Sequence, residues 1–369
     1  MKKLLLFLVM CILYAKVSAQ QNLWHSYYDK KTEFTGYKDA QGKIKIPAKF
    51  SLFTHTGVFR NIVPVNEQAS NNKFNNYYLL KNGKKVGKDS LYVWDFTADC
   101  ESEEKIRFYD KKTDKVGFFN KNGKVVIPAV YNSAQPFYNG LALTIRNGKR
   151  MCYENKPYDA ANPCEHWIWN GTTAIINTKN QILVDNLQDD AIWHMNFYSL
   201  KVVNQPLDTA IYVNLKGVNG QYYSFIDYDK EFKHWFYKSY LPQLNAGSLQ
   251  ASTFSKVMVD ERQKKSDNKP MALATFTKRY SALVLKKMQA IKQGKSSADI
   301  SHEDLYALSY DNAVFKPYYT DCGMPNKERY PVYSVLTETL SKTQTLNSQE
   351  SFIFLRTAKG YKLIGLTVN

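Results

Sequence analysis

Six histidines, four cysteines beyond an N-terminal apolar run and a set of tryptophans are the side chains here that can carry chemistry. The densest polar cluster is Asp189-Asp190 followed by His194, in DDAIWHM. Carboxylates beside an imidazole can act as acid and base in a hydrolysis; the same residues also read as a surface loop ahead of a strand. His25, His55, His166, His234 and His302 are scattered over other segments. Cys322, in YTDCGMP, offers a thiol nucleophile, but thiols in oxidising compartments more often pair. The chain contains no GxSxG, HExxH, GxxxxGK[ST] or GxGxxG, so the common signatures of serine hydrolases, zinc proteases and nucleotide sites are missing.

Cys152 and Cys164 bracket a short segment containing ENKPYDAANP and are the favoured disulfide. A pair of Cys100 with Cys322 would tie distant regions together. His166 follows Cys164 closely, yet these residues supply only three potential ligands in no common zinc spacing, so no metal site is expected. Trp167, Trp169, Trp193 and Trp235, with Trp94 and the 27 tyrosines, can form a surface for stacking sugars, or can equally serve as strand formers covering their neighbours. Basic residues do not cluster with aromatics in the manner of a strand-binding groove, which argues against nucleic acid.

The elements that would position these side chains come from a repeat. Residues 35–65, TGYKDAQGKIKIPAKFSLFTHTGVFRNIVPV, align with 116–143, VGFFNKNGKVVIPAVYNSAQPFYNGLAL, at one offset of 81 residues. Gly36 meets Gly117, Gly42 meets Gly123, and Ile46-Pro47-Ala48 meets Ile127-Pro128-Ala129. A weaker copy at 77–87 places Gly83 midway, so the period is about 40 residues. Two degenerate copies follow, at 174–185 and 224–236, with Asn180 and Lys230 at the turn position. Within one unit, Val116–Asn120 forms a strand and Asn122-Gly123 a tight turn. The second strand, Val125–Ile127, ends at Pro128, which cannot donate to a ladder. A third strand, Leu141–Ile145, ends at a turn signal, Asn147-Gly148.

The order aromatic-Gly-aromatic, Asn-Lys-Asn-Gly-Lys, two aliphatics, Ile-Pro, then Tyr and Pro-Phe resembles the WG (KWG) repeat family of bacterial proteins. Residues 116–149 carry it over nearly a whole unit and 35–65 over the first half, although Thr35 and Val116 stand where the family has its tryptophan. The resemblance implies an exported or surface β-rich scaffold and implies no enzyme. Units near 33–68, 77–110, 114–149, 172–204 and 222–240 then make a β domain over 20–240. A single hairpin unit cannot bury an apolar face, and stacked units can. Uneven spacing of the later units favours an open array over propeller-like closure.

After Trp235 the pattern changes. Phe276, Tyr280, Leu283, Val284, Met288 and Ile291 recur at helical steps, with Asp267 or Asn268 as cap, Pro270 in the first turn and Gly294 at the end. Glu303 and Asp304 after Ser301 predict a second helix reaching about Leu308. Strands follow at 332–340 and 351–368, the latter a hairpin turning at Ala358-Lys359-Gly360. This small α+β domain, 250–369, weakly resembles the nuclear-transport-factor-like cone fold. That resemblance implies a pocket between the sheet and the long helix, or a cone filled by its own side chains.

Residues 1–19, MKKLLLFLVMCILYAKVSA, read as a secretory signal peptide: two lysines, an apolar run too short to span a bilayer, and a small-residue cleavage site. Cys11 lies inside the apolar run after Met10, which does not fit a lipoprotein. Losing Lys2, Lys3 and Lys16 lowers the formal charge from +17 to +14. That surplus favours anionic surfaces or glycans, or is solvated charge in turns such as Lys81-Asn82-Gly83-Lys84-Lys85. The expectation is a non-catalytic exported repeat scaffold in the periplasm, at the surface or outside the cell. It binds a protein or an anionic or neutral glycan and has no cofactor, no nucleic-acid partner and no transmembrane segment after cleavage. The runner-up is an exported hydrolase acting on glycan or peptide, with its site in the C-terminal pocket or near Asp189 to His194.

Overall fold

The computed structural model describes residues 23–52, 56–69, 73–94, 97–154, 156–187, 192, 194–261, 270–305, 313–320, 322–340 and 346–368. Signal residues 1–19, Asp189, Asp190, Trp193, His55, Asp267 and Asn268 lie outside these. The chain forms two compact units, Met1–Gln188 with Gly217–Asn219 and Asp189–Lys216 with Gly220–Asn369, a division earlier than the 240–250 boundary expected.

In the first unit β1 (Trp24–Asp29), β2 (Phe34–Asp39), β3 (Ile44–Phe50), β4 (Val58–Phe59), β5 (Ile62–Gln68), β6 (Phe74–Leu80) and β7 (Lys85–Val86) make one sheet, ordered β4-β1-β2-β3-β5-β6-β7. A short hairpin, β8 (Val93–Trp94) with β9 (Thr97–Ala98), precedes a three-stranded sheet of β10 (Lys105–Asp110), β11 (Lys115–Asn120) and β12 (Val125–Tyr131). β13 (Ser133–Ala134), β14 (Leu141–Cys152), β15 (Trp167–Asn177) and β16 (Ile182–Leu187) form the next sheet in chain order. Among the described residues every pairing in this unit is antiparallel and no sheet closes on itself.

The offset of 81 residues holds in three dimensions. Tyr37 pairs with Ile46 and Thr35 with Phe50, while Phe118 pairs with Ile127 and Val116 with Tyr131. In both copies four residues of the third strand oppose two of the second, which is a bulge centred after the proline. Pro47 and Pro128 therefore do not end their strands as expected; they sit exposed inside the bulges, where no ladder donor is required. The turns repeat as well. Asp39 Oδ1 accepts from the backbone N–H of Gln41 and Lys43 at 3.1 and 2.9 Å, and Asn120 Oδ1 from those of Asn122 and Lys124 at 3.0 Å. Asn177 does the same for Lys179 and Gln181, with Asn180 at φ 62° where the earlier copies have glycine.

Two sequence expectations change here. Asn147-Gly148 is no turn: β14 runs through it with a register shift between Arg146 and Lys149, because Asn147 takes φ 54° and Asn132 clasps Gly148. Lys230 is no turn either, since Asp227 accepts from the N–H groups of Asp229 and Lys230 and starts a helix there. The corresponding hairpin turn is Asn219-Gly220, with Gly220 at φ 83°, 40 residues after Asn180.

In the second unit β17 (Met195–Val203), β18 (Tyr212–Lys216) and β19 (Tyr222–Asp227) make a sheet ordered β17-β19-β18. α1 (Tyr228–Trp235) follows β19 directly and is continued by a wider turn, Phe236–Tyr240, and a last α-turn, Leu241–Gln243, and α2 (Ala246–Ala251) is opened by an Asn245–Ser248 capping box. Then come β20 (Thr253–Glu261), β21 (Met271–Ala272), α3 (Leu273–Lys292), β22 (Asp299–Glu303), β23 (Val332–Leu340), β24 (Leu346–Thr357) and β25 (Gly360–Val368). The sheet order is β21-β20-β25-β24-β23-β22, and only β20 with β25 is parallel. Helix α3 starts at Leu273 because Met271-Ala272 pairs with Lys256 and Val257, and it buries Phe276, Tyr280, Val284, Met288 and Ile291 as the periodicity predicts. Ser301 begins no helix: residues 299–303 pair one to one with Leu336 back to Val332, and that ladder overrides the local acidic signal.

The space between α3 and the sheet is filled. Phe232, Phe236, Phe276, Val284, Met288, Tyr333, Phe352 and Phe354 are buried in one cluster there. No helix among the described residues is long and apolar enough to cross a membrane.

Candidate functional site

Cys152 and Cys164 form a disulfide, with Cα atoms 6.1 Å apart. Cys100 and Cys322 are likewise disulfide-bonded rather than free, so Cys322 has no thiol to act as a nucleophile. The Cys152–Cys164 bridge closes the loop between β14 and β15, whose paired ends hold the tryptophans. Trp167 lies opposite Cys152 and Trp169 opposite Arg150. Alternation along β15 puts both indoles on one side, edge to face at 5.4 Å. The Arg150 guanidinium lies 4.6 Å from the Trp167 ring, 5.0 Å from Trp169 and 5.6 Å from Tyr158, and both Asp114 oxygens accept from it at 2.8 Å. This is a half-exposed cluster of three aromatic rings around an oriented cation. Trp235 does not join it. In the second unit its ring packs on Tyr240 at 4.9 Å, Tyr361 at 5.0 Å and Phe354 at 5.6 Å.

A different constellation forms in the second unit. His194 stands immediately before β17, and the Met195–Asp227 pairing brings it beside the first turn of α1, where Asp229 sits. His302 on β22 is directly opposite Tyr333 on β23. Four residues spread from 194 to 333 therefore meet. His302 Nε2 is 2.7 Å from Asp229 Oδ1 and 3.1 Å from His194 Nδ1, and His194 Nδ1 is 3.5 Å from Asp229 Oδ2. The Tyr333 hydroxyl donates to Asp229 Oδ1 at 2.8 Å and lies 3.3 Å from His302 Nε2. Phe232 stacks on the Tyr333 ring at 4.4 Å and locks it.

Burial by itself would push the Asp229 carboxyl up. Hydrogen bonds from His302 and Tyr333, with the charge of the two imidazoles, outweigh it and hold the group down at about 2. Burial, with the Tyr361 phenol and the Asp229 carboxylate nearby, pushes the Tyr333 phenol far up, so it stays a donor. The imidazoles face an open cleft of about 1050 Å³, which Tyr228, Glu303, Asp304 and Lys327 also line. A carboxylate-held imidazole on a cleft can take or give a proton. His194, Asp229 and His302 each offer one donor atom within 4.8 Å of the others, the arrangement of a three-ligand metal site.

Of the DDAIWHM cluster, His194 is thus in the site, and Asp189, Asp190 and Trp193 are outside the described residues. Nothing in the sequence marks Asp229 or Tyr333, and the acidic signal after Ser301 points His302 to a helix rather than to β22. Only the strand alternation of Ile300 and His302 could have moved His302 to a sheet; no spacing links the other residues.

Residues 117–149 match the family described as WG containing repeat. No curated protein and no solved structure matches the chain.

Proposed function

We propose that this chain is an exported, non-catalytic repeat scaffold that binds a glycan or protein of the cell envelope or the extracellular space. Its binding surface is the aromatic cluster on the β14–β15 hairpin. The observation that carries this reading is the grouping of Trp167, Trp169 and Tyr158 around Arg150 beside a disulfide. Flat half-exposed rings match sugar faces, and Arg150, paired with Asp114, holds the rings in place. The WG repeat at 117–149 and the formal charge, +17 for the full chain and +14 without Lys2, Lys3 and Lys16, accord with it. The test is binding of the chain without residues 1–19 to an array of envelope and host glycans at low and moderate salt, beside a Trp167→Ala/Trp169→Ala variant. Salt-resistant binding that the variant loses is the expected result. Binding that the variant retains, or binding that vanishes at moderate salt for every glycan, overturns it.

A second reading rests on the cleft. His302 held by Asp229 supports an exported hydrolase in which an imidazole activates water toward a glycan or peptide. The order strand, helix and four-strand meander over residues 253–368 supports the cone-fold resemblance. Its reaction site would then be the cleft beside His194 and His302, since the space under α3 is filled. Hydrolysis of peptide and glycan substrates that disappears in His302→Gln would favour this reading over the first.

A further inference from the structure

We infer that His194, Asp229 and His302 form a mononuclear site for a divalent transition-metal ion of the zinc class, with an open coordination position toward the cleft. The donor set is two imidazole nitrogens and one carboxylate, which suits zinc and its neighbours rather than calcium or magnesium. Among the described residues the site holds three protein ligands, the pattern of an ion that binds an external molecule.

The donor atoms lie close to the spacing an ion needs. A tetrahedral ion with bonds of about 2.0–2.1 Å spaces its ligands by about 3.3 Å. The two imidazole nitrogens stand 3.1 Å apart, Asp229 Oδ1 is 2.7 Å from His302 Nε2 and Asp229 Oδ2 is 3.5 Å from His194 Nδ1, so insertion requires the carboxylate and His302 to separate by about half an ångström. As hydrogen bonds the same contacts are over-subscribed. An imidazole nitrogen carries at most one hydrogen, yet His302 Nε2 faces Asp229 Oδ1, His194 Nδ1 and the Tyr333 hydroxyl, all within 3.3 Å. A cation at their centre satisfies all three lone-pair donors at once.

The surroundings are those of a metal ligand set. Tyr333 donates to the Asp229 carboxylate and is itself clamped by Phe232, so the anionic ligand has an oriented outer partner. Asp229 sits on a helix and His302 on a paired strand, which keeps two of the three ligands on regular elements. Glu303 and Asp304 on the cleft wall add negative field toward an incoming cation. This inference concerns the second unit only and does not depend on the ligand of the repeats.

The test uses the untagged chain without residues 1–19, stripped with a chelator and dialysed. Zinc is titrated against a chromophoric competitor, and cobalt is added separately to read visible absorption. One equivalent of zinc per chain is expected. His194→Gln and His302→Gln should each weaken binding by more than about 100-fold, beyond the range of outer-shell changes, and Tyr333→Phe by about 10-fold. Thermal melts of the metal-free variants check that each is folded, and His194→Gln, altered just before β17 at a half-exposed side chain, is the variant safest in this respect. Acetohydroxamate should change the cobalt spectrum of the wild-type chain by entering the open position. Absence of stoichiometric zinc binding, or binding retained by the folded double variant H194Q/H302Q, overturns the site. A cobalt spectrum indifferent to acetohydroxamate overturns the open position.

Discussion

Gly36 and Gly117 show why a repeat of this kind keeps glycine and proline together. A Cβ on Gly117 would lie 2.6 Å from Ile127 O, 2.7 Å from Ala129 N and 2.8 Å from the Phe108 ring; on Gly36 the equivalents are 2.5 Å from Ile46 O, 2.8 Å from Ala48 N and 2.8 Å from the Tyr27 ring. The bulge around Pro128 or Pro47 presses the strand backbone onto the glycine, and the aromatic of the preceding strand covers it, Phe108 opposite Gly117 and Tyr27 opposite Gly36. The degenerate copy is an internal control. There Asp185 occupies the proline position, three residues of β16 rather than four oppose the pair on β15, and the glycine position is the buried Ala174. Gly117→Ala should therefore cost about 3 kcal/mol, because backbone atoms cannot step aside. Gly140→Ala, in open space at φ 75°, should cost about 1 kcal/mol from left-handed strain alone. Urea unfolding of both variants checks this; equal losses would refute the close-approach account. The sequence displayed the glycine and the proline at matching offsets, but the bulge that couples them is a property of two-against-four pairing that no single strand spells out.

Successive hairpins are tied by side chains that reach across elements. Tyr78 on β6, fully buried, donates to Arg107 O on β10 at 2.6 Å and accepts from Tyr92 N at 2.9 Å. Arg107 pairs with the buried Asp99 through Nε and Nη2 and donates to Ala134 O on β13. Removing one member of such a pair leaves the other charge buried, so Asp99→Ala should cost about 3–5 kcal/mol in denaturant unfolding. A cost under about 1 kcal/mol would mean the pair is solvated. Glu67 on β5 joins β3, β6 and β7 by accepting from Lys49 at 2.7 Å, Tyr77 at 2.6 Å and Lys85 at 2.8 Å. Burial raises its pKa, but these hydrogen bonds, led by Lys49, outweigh burial and bring it from 4.5 to about 2. A carboxyl with a depressed folded pKa contributes stability that is present above pH 4.5 and lost as pH falls toward 2. The unfolding midpoint of the wild-type chain should drop across that window, and Glu67→Gln should flatten the drop. Such ties were invisible in the sequence because each depends on register between hairpins. Helix signals at Ser301 misled for the same reason: pairing with β23 decided the matter. The face of α3 was legible, since its five buried residues repeat at the helical period whatever they pack against.

At the scale of the molecule, five apolar clusters among the described residues each lie within one unit. The clusters built on Tyr37 and Phe59, on Ile62 and Phe119, and on Phe118 and Phe137 contain only first-unit residues; those built on Phe232 and Phe354 and on Phe315 and Ile364 contain only second-unit residues. The repeats announce the first kind through their offset, whereas His194, Asp229, His302 and Tyr333 meet only because β17, α1, β22 and β23 belong to the second. Stability is then two sums, and in the repeats it is carried by neighbouring hairpins. Thermal unfolding of the full chain should show two cooperative transitions. Gly117→Ala should lower one, and Phe232→Ala, which removes a ring stacked on Tyr333 and Phe236, should lower the other by about 3–5 kcal/mol. Calorimetry of the two variants beside the wild-type chain decides it. If each variant moves both transitions together, the two cores melt as one and the division of burial has no energetic counterpart. If they move separately, saturating zinc should raise only the transition that Phe232→Ala lowers, because a ligand stabilises the unit that binds it.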